Sequence, residues 1–111
     1  MGTLTRGDIV LFPFPYTDLS DRKLRPCMVL SEEMDDDIML CQITSQRLRK
    51  DEYSIELKQA DTTDGTIMTD SYIRANMIFT AVKAQIRRKL CKIRDDKYKQ
   101  VIKVITRIIV K

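Results

Sequence analysis

Arg25 is the side chain in this sequence with the most to offer a phosphate. It precedes Pro26 and stands at the mouth of the apolar run Cys27-Met28-Val29-Leu30-Ser31. A guanidinium stays protonated at any physiological pH and presents five donors in a planar fork that suits phosphate oxygens. A charge entering an apolar strand is costly unless it is paired or used. The chain has no histidine, which removes the commonest general base. Catalysis would have to draw on Arg, Lys, Asp, Glu, Ser, Thr, Tyr or a thiol. The only glycines are Gly2, Gly7 and Gly65, so the sequence holds neither a P-loop nor a GxGxxG phosphate loop. Cys27, Cys41 and Cys91 are odd in number, form no CxxC and lie in apolar segments. They read as small buried thiols in a reducing compartment rather than as zinc ligands. No metal or other cofactor is expected.

Short strands must hold Arg25 in place. Residues 8–12 read as one strand, ending at Pro13 and Pro15. The polar stretch 16–23 reads as a surface loop. Residues 25–31 and 38–44 form two further strands joined as a hairpin through the acidic turn 32–37, and the second of them ends in Thr44-Ser45. Residues 45–52 are a charged loop, 53–57 a short half-buried strand and 58–70 polar and turn-rich. Residues 71–79 and 86–93 are strand candidates, although part of 71–90 also suits a helix. Tyr98, Val101, Ile102, Ile105, Ile108 and Ile109 recur at helical spacing, and Asp95 or Asp96 can cap that helix. Its apolar stripe reads as core or dimer contact rather than a membrane anchor. These elements predict a mainly β fold: a small antiparallel barrel with a C-terminal α-helix, the alternative being an α+β sandwich.

The 111 residues, 43% hydrophobic and 32% charged, suit one domain over 1–111. No apolar run reaches membrane-spanning length, and the first six residues lack the apolar core of a signal peptide. A cytoplasmic protein that does not contact membranes is therefore expected. Residues 81–111 carry eleven Lys/Arg against Asp95 and Asp96, whereas residues 1–80 carry nine Lys/Arg against fourteen Asp/Glu. The basic final third suits a polyanion or an acidic protein partner, or is simply a solvated face.

An ordered set of segments resembles the MazF/PemK family of toxin endoribonucleases. The set comprises Arg6-Gly7-Asp8-Ile9-Val10 with Pro13-Phe14-Pro15, Thr17-Asp18-Leu19-Ser20, Arg25-Pro26 with its apolar strand, and Ile43-Thr44-Ser45-Gln46. The segment Ser71-Tyr72-Ile73-Arg74 through Ile78-Phe79-Thr80 and the closing helix complete it, so the resemblance spans essentially the whole chain. It implies an SH3-like barrel shared with MazF, PemK and CcdB-like toxins. It also implies a homodimer, metal-independent cleavage of single-stranded mRNA at short sequences, and inhibition by a cognate antitoxin.

By the same resemblance, the catalytic pair falls on Arg25 and Thr44. RNA cleavage by its own 2′-OH passes through a phosphorane with extra negative charge and leaves 2′,3′-cyclic phosphate and 5′-OH ends. Arg25 would neutralise that charge, and Thr44 would hydrogen-bond the phosphate or orient the 2′-OH. Thr17, Asp18, Arg22 and Lys23 would line one wall of the RNA groove, and Gln46, Arg47, Arg49 and Lys50 the other. Asn76 joins them as an RNA-binding position. Family members often carry an acidic or strongly polar pair where this chain reads Asn76-Met77, a change that would alter base preference or weaken cleavage. Two other readings of the scaffold stay open: a toxin that binds DNA gyrase, and a catalytically weakened RNA-binding barrel. A simpler role for Arg25 is an ion pair with Asp18 or Asp21.

Overall fold

The computed structural model describes residues 2–15, 22–46 and 52–110. Among these residues, seven strands make one antiparallel sheet: β1 (Asp8–Pro15), β2 (Arg22–Val29), β3 (Asp37–Thr44), β4 (Ser54–Leu57), β5 (Thr62–Thr63), β6 (Ser71–Val82) and β7 (Arg88–Ile93). Their order is β4-β6-β3-β2-β1-β7-β5. The helix α1 follows over Asp95–Val110. The mainly β fold with a terminal helix is as the sequence predicts.

Alternation along the strands sorts the apolar residues into two cores, one on each side of the sheet. On one side Ile9, Met28, Cys41, Ile43, Ile73 and Cys91 pack under Val101, Val104 and Ile105 of α1. On the other, Val10, Cys27, Val29, Ile38 and Leu40 are buried, with Phe12, Phe14 and Phe79 partly buried against them. Those three rings show how strongly the sheet curls. Phe79 lies on β6 and Phe12 and Phe14 on β1, with β3 and β2 between them. A flat sheet would hold β6 and β1 about 14 Å apart. The Phe79 ring centroid is instead 5.4 Å from Phe12 and 5.6 Å from Phe14. The sheet is therefore a curled half-barrel, with the three phenylalanines meeting across its concave face.

Local chemistry accounts for most element boundaries. β1 does not stop at Pro13 but runs to Pro15, paired with β2 throughout. Its last pair with β7 is Leu11 opposite Arg88. Beyond that point β1 is paired on one side only, where residues without an N–H are tolerated. β2 likewise starts at Arg22, so Arg22 and Lys23 belong to a strand rather than to the expected loop. The β2–β3 hairpin closes through a bridge between Met34 and Asp37, with Asp35 at φ 58° in the turn. The segment 71–90 holds no α-helix, only a 3-10 turn at Lys83–Gln85. Asp95 and Asp96 lie inside the first turn of α1 rather than capping it, where their charge still favours the N-terminal dipole. In α1 the buried residues are Val101, Val104 and Ile105, while Ile108 and Ile109 of the expected stripe are exposed. Gly65 is required by packing: at φ +132°, a Cβ there would meet the Leu90 carbonyl oxygen at 2.2 Å.

Candidate functional site

The hairpin register brings Arg25 and Thr44 together on one face of the sheet. The β2–β3 ladder ends with Cys27 opposite Gln42. Arg25 and Thr44 are the next residues on that face along their respective strands. Phe12 lies directly opposite Arg25 on β1, and Tyr72 lies opposite Thr44 on β6. Across four strands the face therefore reads Phe12, Arg25, Thr44, Tyr72, which places a cation and a hydroxyl between two aromatic residues.

Thr44 is nearly buried, at 7% exposure. Its Oγ1 accepts a hydrogen bond from the Gln46 backbone N–H at 3.2 Å, which fixes the end of β3; among the described residues the hydroxyl proton has no acceptor. Arg25 is half-buried. No ion pair among the described residues takes up its guanidinium. Asp18 and Asp21, its suggested partners, lie outside the described residues, as do Thr17, Arg47, Arg49 and Lys50.

Two residues of this face were missed in the sequence. Arg74 follows Tyr72 by one alternation, on the side of β6 away from Ile73 and Ala75. Its Nε is buried and, among the described residues, has no hydrogen-bond partner. Gln42, half-buried opposite Cys27, lies on the same face. The available signal for both was a polar residue recurring at every second position of an apolar strand. The remaining expected positions are less enclosed. Lys23 is exposed opposite Phe14. Gln46 is exposed just beyond β3. Asn76 is also exposed, in the stretch of β6 where the β3–β6 register slips: Cys41 pairs with Ile78 but Ile43 with Ile73. This bulge swings Asn76 and Met77 out of the ladder beside Gln42.

Other chemistry does not converge here. Burial pushes the Cys41 thiol up to about 12 and the Cys91 thiol to about 11, and it pushes Cys27 up as well. None of the three is poised as a nucleophile. Among the described residues, no group of three Cys, Asp or Glu side chains is placed to hold a metal ion. A cleft of 680 Å³ is lined by Tyr53, Val104, Arg107 and Ile108. It lies on the helix side of the sheet, away from Arg25. Much of the basic final third is internally paired: Lys89 and Lys92 with Asp8, Lys97 with Asp61, and Lys99 with Asp95. Among the described residues, no helix is long and apolar enough to cross a membrane.

Comparison with known proteins bears on the fold and the family. The model of the PemK-like, MazF-like toxin family of type II toxin-antitoxin systems matches residues 5–109. A chain of the MazE–MazF crystal structure (Form III) from Deinococcus radiodurans superposes with a TM-score of 0.78 at 14% identity, covering 98% of each chain. An endoribonuclease from a mycobacterial species superposes with a TM-score of 0.73 at 15% identity, covering 96% of this chain and 91% of that one. A mycobacterial endoribonuclease in complex with its cognate antitoxin gives 0.71 at 14% identity, covering 94% and 92%. No curated protein matches in sequence. The chain belongs to the PemK-like, MazF-like toxin family.

Proposed function

We propose that this toxin-family member is an endoribonuclease that cuts single-stranded RNA by means of Arg25 and Thr44. The observation that carries the proposal is that Arg25, whose guanidinium forms no ion pair among the described residues, and the Thr44 hydroxyl share one concave face on adjacent strands. In the reaction, the ribose 2′-oxygen forms a bond to the adjacent phosphorus and loses its proton. The bond from phosphorus to the 5′-oxygen breaks, and that oxygen gains a proton. The products are a 2′,3′-cyclic phosphate and a 5′-OH. The intervening phosphorane carries more negative charge than the substrate. A guanidinium already in position stabilises that charge without reorganising. Arg25 fills this role, with Arg74 as a second cation whose buried Nε lacks a partner among the described residues. Thr44 donates to a phosphate oxygen or orients the 2′-OH.

Lys23, Gln46 and Asn76 line the approach to this face and hold the flanking nucleotides. Arg22 and the positions Thr17, Asp18 and Arg47 complete the proposed RNA contacts. A cognate antitoxin is one proposed protein partner, supported by the similar structure of an endoribonuclease with its antitoxin; a second copy of the chain, which the family resemblance implies, is the other. The gyrase alternative gives no role to an arginine and a threonine converging on one face.

Purified protein is expected to cut single-stranded RNA in the presence of a chelator and to leave cyclic-phosphate ends. Arg25→Ala should lower the rate by about 10³-fold, the scale of losing one preorganised oxyanion partner. Unchanged cleavage by Arg25→Ala would refute the assignment.

A further inference from the structure

The three phenylalanines of this chain, Phe12, Phe14 and Phe79, all gather at one place, on the face that holds Arg25. Phe12 and Phe14 meet edge to face at 5.5 Å, and Phe79 closes the triangle from β6. None of the rings is fully buried. Beneath them Val10, Cys27, Val29 and Leu40 are sealed from solvent, so the rings form the outer layer of that core rather than its centre. Cations flank them at fixed register: Arg25 opposite Phe12 and Lys23 opposite Phe14. An aromatic surface beside guanidinium and ammonium groups is the pairing that single-stranded nucleic acid requires, with rings for the bases and cations for the backbone.

We infer that the Phe12–Phe14 edge is a stacking subsite for a nucleobase next to the phosphate held by Arg25. This deepens the ribonuclease reading and rests on it for the identity of the strand. The cross-strand spacing supports the assignment. Phe12 and Arg25 are directly opposed, with Cβ atoms about 5 Å apart, and neighbouring nucleotides in an extended strand have bases and phosphates separated by comparable distances. Stacking tolerates any base, so this subsite would supply affinity and a mild preference for larger rings. Discrimination by hydrogen bonding would fall to polar neighbours such as Gln42 and Asn76.

The experiment compares binding of two single-stranded deoxy 12-mers, one base-bearing and one wholly abasic with the same charge. The deoxyribose prevents cleavage. The parent is expected to bind the base-bearing strand roughly five- to 100-fold more tightly than the abasic one. Phe14→Leu keeps an apolar side chain over the core but removes the ring, and should lose most of that gain while binding the abasic strand as the parent does. Phe14→Tyr should retain it. Thermal melting of each variant verifies folding. Equal binding of the two strands by the parent, no binding of either, or a gain that survives Phe14→Leu would overturn the inference. Cleavage of ribo-oligonucleotides by the parent is scored separately. A parent that cuts RNA but shows no base-dependent gain sinks the stacking subsite alone. One that shows the gain but never cuts sinks the nuclease reading alone.

Discussion

At the scale of single residues, Thr44 combines a structural bond with the chemical task proposed for it. Its Oγ1 accepts from the Gln46 N–H, and among the described residues its proton has no acceptor, as the proposed contact to a substrate oxygen requires. Thr44→Val keeps the shape and removes the hydroxyl, so it should lower RNA cleavage by about 10²-fold. Thr44→Ser should restore most of that activity, and single-turnover kinetics on a defined oligonucleotide would show whether it does. Retention of full activity by Thr44→Val would confine this residue to a structural role. Arg25 was legible in the sequence because a lone cation entering an apolar strand requires an explanation. Arg74 was not, because its significance lies in a buried Nε without a hydrogen-bond partner among the described residues, an environment that only neighbouring strands can create.

At the scale of elements, the strand register matters more than the strand limits. Several limits moved by a few residues from the sequence reading, most visibly β1, which continues through both prolines. The hairpin was predicted and is present, and it is the hairpin that brings Arg25 and Thr44 to one face. A one-residue slip would turn one of them to the opposite side.

The Glu33–Lys83 pair links the segment before β3 to the 3-10 turn after β6. Lys83 Nζ donates to Glu33 at 2.7 Å, and the Leu4 N–H donates to the same carboxylate at 2.8 Å. Those two hydrogen bonds hold the Glu33 carboxyl below its usual range, and Glu33 raises Lys83 in return. For a depressed carboxyl, the stabilisation is present above its unfolded value and is lost as pH falls through the folded one. For a raised amine, it is present below the unfolded value and lost as pH rises through the folded one. Glu33→Gln should therefore melt slightly below the parent at neutral pH and converge with it in acid, below about pH 4. A gap that persists unchanged at low pH would show that the pair contributes nothing through its charge.

At the scale of the whole molecule, Asp8 is the buried point that joins separate parts of the sheet. It is fully buried. Its Oδ1 lies 3.1 Å from Lys89 Nζ and 3.8 Å from Lys92 Nζ on β7, and its Oδ2 accepts from the Thr5 N–H at 2.8 Å. Oδ1 has those charges nearby but no aligned hydrogen bond, so attraction rather than bond geometry holds it. Asp8→Asn would leave two ammonium groups facing a neutral amide. Since both lysines are partly exposed, the expected loss is about 2 kcal/mol, below that of a fully buried pair. Urea denaturation would measure it, and a loss under about 0.5 kcal/mol would show that the lysines relax into solvent.

The sequence alone determined the class of this protein. Period-two alternation, turn residues and one helical stripe specify short strands and a terminal helix, because those patterns reflect which side of each element is dry. The ordered motifs pointed to the toxin family, and the absence of histidine removed the commonest general base. Tertiary structure decided which side chains share the face of the candidate site. Curling of the sheet brought Phe79 to Phe12 and Phe14, and the β6 bulge turned Asn76 outward beside Gln42. It also showed that much of the basic final third is paired within the fold. These outcomes depend on contacts between residues distant in the chain. Arg74 and the aromatic edge therefore became visible only once the strands were brought together.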